Sequence, residues 1–201
     1  MVTVDPYFHD TSPDFVGAPA GPASNVSSIM PYYWTSDDTR RAIIASILPI
    51  GAGVAGAAYI ARDKEIDNVI TSARKPHWAI KSRSTHSAID LMTIAPLGYA
   101  SYLVYKNGGG FDYTDTTVAL SLYGANVGLA LVNIPLLKKS NFQCLFYNSL
   151  LVSGTAAATA YAFYKIDQNA GLWTIPYALW TAYYAFFGYA AYQLNSPQKD
   201  A

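Results

Sequence analysis

The chain is poor in charge. Asp, Glu, Lys and Arg make up 13% of its 201 residues, against about 25% in an ordinary soluble domain. The shortage is concentrated in long windows with no ionisable residue, which argues against both a soluble globule and a disordered chain. Basic and acidic residues balance to a formal net charge of zero. With no clustered basic surface or binding motif, nucleic acid is excluded as a partner. A single cysteine, Cys144, rules out an intramolecular disulfide framework; in apolar surroundings it reads as filler, not as a nucleophile. The three histidines lack metal-ligand spacing: His9 is near the N-terminus, and His77 and His86 stand nine residues apart in a linker. There is no Ser/His/Asp arrangement. Lys106-Asn-Gly-Gly-Gly-Phe111 follows a helical pattern and not a strand, so it is a turn and no phosphate cradle. No metal, cofactor or catalytic residue is expected.

What is abundant is apolar sequence, 52% of the chain. Five stretches reach spanning length: Ala42–Ala61, Ser87–Tyr105, Thr116–Leu137, Phe142–Tyr164 and Leu172–Leu194. At 1.5 Å per residue, about 20 helical residues cross a hydrocarbon layer about 30 Å thick. Only the second stretch holds a charge, Asp90. Barrel strands would alternate in polarity, and FQCLFYNSLLVSGTAAATAYAFY, from Phe142, does not. Backbone groups in lipid must pair within their own segment, which leaves helices. The expected fold is therefore an all-α membrane protein, a bundle of five transmembrane helices over 40–195, with the lipid bilayer as its solvent.

Residues 1–39 differ in kind. Pro6, Pro13, Pro19, Pro22 and Pro31, with Gly17, Gly21 and several serines, describe a disordered tail, and its Asp5, Asp10, Asp14, Asp37 and Asp38 make it acidic. Arginine-rich transit peptides and basic-headed signal peptides look different, so targeting is expected to be internal. Residues 196–201 form a short C-terminal tail. Orientation follows from the basic residues beside the spans. Arg62, Lys64, Arg74, Lys75, Lys81, Arg83, Lys138, Lys139 and Lys199 lie on one side; Arg40, Arg41, Lys106 and Lys165 lie on the other. The first side, with the long 62–86 linker and the C-terminus, is expected to face the cytosol.

Small residues mark where helices can approach, because lipid gives no hydrophobic drive for association. Gly124-x-x-x-Gly128, the row Gly154, Ala158 and Ala162, and the row Ala178, Ala182 and Ala185 predict tight packing, and one such face would serve a homodimer. Among polar residues, Ser87-x-x-Asp90 has capping-box spacing, which would put Asp90 in a first helical turn near the interface. An ionisable residue inside a span is otherwise a functional candidate. Asn126, Asn133 and Asn148 either tie helices together or meet a ligand. Trp173, Tyr177, Trp180, Tyr184 and Phe187 share one face of the last span. Trp180 and Tyr184 lie too deep for an interfacial belt, so they form either a packed core or the wall of a pocket for a flat hydrophobic molecule.

Several strings in order resemble the translocator protein family, also known as tryptophan-rich sensory proteins or peripheral benzodiazepine receptors. They are Lys75-Pro76-His77-Trp78; Gly98-Tyr99-Ala100-Ser101-Tyr102-Leu103-Val104-Tyr105-Lys106 with Gly109-Gly110-Phe111; Leu122-Tyr123 and Pro135; Leu150-Leu151-Val152-Ser153-Gly154; and Pro176-Tyr177-x-x-Trp180. The resemblance runs from about residue 42 to 195. It implies a five-helix bundle, often dimeric, in the outer mitochondrial membrane, whose pocket takes porphyrins or cholesterol and which is proposed to transport them. By position, Trp180 would be a pocket-wall residue, Tyr184 and Phe187 its neighbours one and two turns on, and Trp78 part of the loop closing the pocket; Tyr177, Asn126 and Asn148 join them as candidate contacts from helical spacing and polarity alone. The chain departs from the family at several tryptophans: Asp90 stands where one is usual, and Ala130-Leu-Val-Asn133 replaces N-W-x-W. Porphyrin breakdown is therefore not expected. Two functions remain: a receptor or translocator for a flat hydrophobic ligand, or a diverged structural member of a membrane complex without a ligand.

Overall fold

The computed structural model describes residues 34–80 and 82–195. They form six α-helices and no strand: α1 (Ser36–Arg62), α2 (Lys64–Ser72), α3 (Arg83–Asn107), α4 (Thr114–Lys138), α5 (Phe142–Ile166) and α6 (Gln168–Asn195), with a single 3₁₀ turn at Gly110–Asp112. Five are long, between 25 residues in α3, α4 and α5 and 28 in α6. The sixth, the nine-residue α2, lies in the linker where no helix is expected from the apolar pattern. It forms because Asp63 caps it, accepting from the N–H groups of Glu65 and Ile66 at 3.0 and 3.3 Å. Its Ile66 is fully buried, so this helix is held by one apolar anchor.

The start of α1 corrects the expected tail boundary. Thr35 and Asp38 make a capping box: Asp38 N–H donates to Thr35 Oγ1 at 3.2 Å, and Thr35 N–H donates to Asp38 Oδ2 at 2.8 Å. Ser36 to Thr39 are therefore helical and belong to the bundle. Residues 1–33 of the expected tail, the residues after 195 and Lys81 lie outside the described residues. At the start of α3, Ser82 is the cap, accepting from Thr85 N–H at 3.4 Å. The helix begins four residues before the expected span, and Asp90 lies two turns inside it. The capping-box expectation for Ser87 and Asp90 thus fails, because a better-placed serine wins.

Each of α1, α3, α4 and α6 contains an interior proline, at 49, 96, 135 and 176. Each removes one backbone donor, a defect that neighbouring helices tolerate in apolar surroundings. The turn after α3 needs left-handed backbone, and Gly109 and Gly110 supply it at φ 77° and 76°. Thr116 seals this turn by donating to Gly108 O at 2.7 Å.

In the packing, α3 has α1 and α6 as its main neighbours, while α5 lies between α4 and α6. The closest approaches differ from the expected small-residue rows. A Cβ on Gly98 would lie 2.2 Å from Ser46 Cα, so α1 and α3 touch backbone to side there. A Cβ on Gly124, Gly128 or Gly154 would meet nothing within 4 Å. Those rows face outward within the chain. So do many large apolar side chains, including Ile43, Ile47 and Leu48 of α1 and Leu150, Leu179 and Phe186 of α5 and α6. Helices α1 and α4 have both the length and the apolar composition to cross a membrane. Bare apolar surface on this scale is unstable in water and at home in lipid.

One end of the bundle is filled and locked. Lys106 Nζ lies 2.6 Å from Asp38 Oδ2, and Tyr102 OH also donates to Asp38, tying α3 to the start of α1. Phe163, Val104, Thr116, Thr159 and Thr174 are fully buried at this end. The threonines satisfy their hydroxyls locally; Thr174, for example, donates to Ala170 O at 2.9 Å.

Candidate functional site

At the opposite end the helices diverge around a cavity of about 470 Å³. It is lined by the C-terminal halves of α1, α4 and α6, the N-terminal halves of α3 and α5, and Ile70, Lys75 and Ile80 from the linker. Small residues make the room. Ala52, Gly53, Gly56 and Ala57 of α1 line it, and a Cβ on Gly53 would first meet Ile94 at 3.6 Å. Most of the remaining wall is aliphatic, from Ile60, Leu91, Ile94, Ile134 and Leu137. This volume falls within the range of small-molecule sites.

The polar wall is built by two helix faces that match turn for turn. His86 and Asp90 are four residues apart on α3; Trp180 and Tyr184 are four apart on α6. Trp180 Nε1 donates to Asp90 Oδ1 at 2.6 Å, and Tyr184 OH lies 3.0 and 3.2 Å from the two carboxylate oxygens. The Trp180 ring stacks on Tyr183 with centroids 4.8 Å apart and meets Tyr184 edge-on at 5.2 Å. His86 lies 5.9 Å from the Trp180 ring and 6.4 Å from Phe187. The result is a fixed aromatic plate around one carboxylate, in which each ring's polar tip is satisfied.

The floor between the hollow and the filled ends is an amide layer. Asn126, fully buried, donates through Nδ2 to Val152 O and to Thr155 Oγ1, both at 2.8 Å. Its Oδ1 accepts from Tyr177 OH at 2.7 Å. Asn148 donates to Leu129 O at 2.9 Å and to Asn133 Oδ1 at 2.8 Å. The linker closes over the other end. Ile80 N–H donates to Tyr183 OH at 3.3 Å, and Asn195 both accepts from Arg74 N–H and donates to Arg74 O, at 2.9 and 3.0 Å.

Of the residues singled out from the sequence, Trp180, Tyr184, Phe187 and Tyr177 come together on the cavity wall. Trp78 does not line it; it meets Tyr183 edge-on at 5.9 Å and stands one ring behind the wall. Asn126 and Asn148 do not line it either, since their amides are engaged between helices, while Asn133 does. Cys144 is exposed. The sequence reading missed His86 as a wall residue and took Asp90 for a cap. The matched four-residue spacings of His86 with Asp90 and of Trp180 with Tyr184 were the available signal.

Outside the bilayer-length helices, the linker side carries paired charges. Lys138 Nζ lies 3.0 Å from Asp63 Oδ2 and 3.1 Å from Glu65. The ammonium holds the Asp63 carboxyl below its ordinary 3.8. Arg83 pairs with Asp67 at 2.5 Å.

Residues 45–193 match the TspO/MBR family. The translocator protein of Ovis aries is 30% identical over 156 residues, covering 77% of this chain and 90% of its own length. That of Bos taurus is 29% identical over the same extent, and that of Homo sapiens is 31% identical over 121 residues, 60% of this chain and 68% of its own. Outward-facing apolar helices agree with these relatives on an integral membrane protein. The chain belongs to the TspO/MBR family.

Proposed function

We propose that the protein is a membrane receptor or translocator whose cavity binds a flat hydrophobic ligand of the tetrapyrrole or sterol kind. The carrying observation is the hollow of about 470 Å³ faced on one side by Trp180, Tyr184 and Phe187 and elsewhere by aliphatic residues. Such a wall favours a rigid, ring-built guest through area burial and stacking. In this reading the five long helices all cross the bilayer, most naturally the mitochondrial outer membrane, with the linker and C-terminus toward the cytosol. The outward rows at Gly124, Gly128 and Gly154 would serve a homodimer. The role is binding and carriage, not catalysis.

Parallel titrations of purified protein with protoporphyrin and with cholesterol test this. Saturable, stoichiometric binding of at least one is expected. Trp180→Ala should weaken it about tenfold or more, as loss of a central aromatic anchor does. Absence of saturable binding, with partner proteins co-purifying, would instead support the ligand-free structural member.

A further inference from the structure

Among the described residues, the cavity holds a carboxylate with no cation paired to it. Asp90 is half-buried in the wall. Its hydrogen-bond partners are the neutral donors Trp180 and Tyr184, and no Lys, Arg or His nitrogen of the described residues comes within 4.0 Å of it. The charged groups nearby are otherwise occupied or too far out. Arg83 is bound by Asp67, Lys75 is exposed at the rim, and the His86 ring is turned toward the rings of α6. The two donors converge on Oδ1, at 2.6 and 3.0 Å, leaving Oδ2 with only the longer share of Tyr184. A carboxylate facing apolar walls is costly unless a positive partner joins it. The faces of Trp180, Tyr184 and Phe187 add a second attraction for positive charge.

We propose that this pocket selects flat, largely apolar molecules that carry a protonated nitrogen, with Asp90 as the counter-charge. The inference rests on the cavity being a ligand site, and adds to it a charge preference: uncharged rings still enter, but a protonated nitrogen on the same frame binds more tightly. Trp180 and Tyr184 then act twice: their polar tips orient the carboxylate, and their faces cover the guest.

The test uses two probes of nearly the same frame, 9-aminoacridine, a cation at neutral pH, and acridine, neutral there. Equilibrium dialysis against full-length protein in a non-ionic detergent reads each dissociation constant. Wild type should prefer the cation by about tenfold or more, the scale of one charge-assisted contact. Asp90→Asn keeps an oxygen for Trp180 and Tyr184 and should bring the two dissociation constants together, abolishing the preference. Asp90→Glu should retain the preference. Equal affinity of wild type for the two probes overturns the proposal even if no variant folds, as does a preference that survives Asp90→Asn. If acridine and protoporphyrin bind but the cation gains nothing, the charge preference alone falls. If none of 9-aminoacridine, acridine and protoporphyrin binds, the ligand site falls with it.

Discussion

The two ends of this bundle are made of the same helices and opposite packing. At the Asp38 end, Lys106 and Tyr102 clamp α3 to α1, and Phe163, Val104 and three threonines fill the centre. At the linker end the same five helices enclose about 470 Å³ of space and the Asp90 carboxylate, whose partners among the described residues are Trp180 and Tyr184. Asn126 and Tyr177 mark the boundary. One half supplies rigidity and the other supplies room. A binding site in a membrane protein needs both, because lipid does not drive helices together and a hollow bundle must be held by its solid part.

The sharpest way to break this contrast is along a single seam, α1 against α3. Gly98→Leu drives a side chain into Ser46, whose Cα a Cβ would already approach to 2.2 Å. It should destabilise the protein by about 3 kcal/mol or more, read as a lowered unfolding midpoint in detergent. Gly53→Leu, on the hollow side of the same seam, meets Ile94 only at 3.6 Å. Stability should change by less than about 1 kcal/mol, while protoporphyrin affinity drops about tenfold because the guest's volume is taken. Equal destabilisation by the two would erase the distinction between the ends.

The boundary layer gives an intermediate effect. Asn126→Ala leaves Tyr177 without its acceptor and Val152 and Thr155 without their donor, and should cost about 1–2 kcal/mol. Tyr177→Phe removes only one of these bonds and should cost about half as much, by the same unfolding assay.

The smallest effect lies in the linker. The folded-state carboxyl of Asp63 is lowered by Lys138, so its contribution is present at neutral pH, above the ordinary carboxylate range. It is lost as pH falls below 3.8 toward the depressed value. The protection of the α2 amides, their exchange corrected for its intrinsic pH dependence, should therefore fall on acidification from pH 5 to about 3, and Asp63→Asn should flatten that dependence.

Much of the fold was legible because bilayer thickness sets helix length, and length can be counted. The five long helices follow the five apolar runs. Their true starts were not visible, since caps such as Thr35, Ser82 and Asp63 lie in polar sequence where several serines and aspartates compete. The division into filled and hollow ends was also hidden. Glycine means backbone-tight contact at Gly98 and ordinary side-chain spacing beside the cavity at Gly53, and only the neighbour opposite decides. The aromatic wall could be read from helical spacing on α6. Its partner on α3 left only a matching four-residue spacing as a trace, because Asp90 gains its meaning from Trp180 and Tyr184, ninety or more residues along the chain.

The clasp between Asn195 and Arg74 bears on timing. Those paired bonds, with the one from Ile80 to Tyr183, fasten the linker to the far end of α6. On the proposed function, a guest arriving from that side would pass only when these three bonds are open. Each is worth about 1 kcal/mol, enough to hold a strap in place and too little to bar it. The dwell of such a guest would then follow how often that short strap of backbone comes unfastened, with Asn195 making two of its three fastenings.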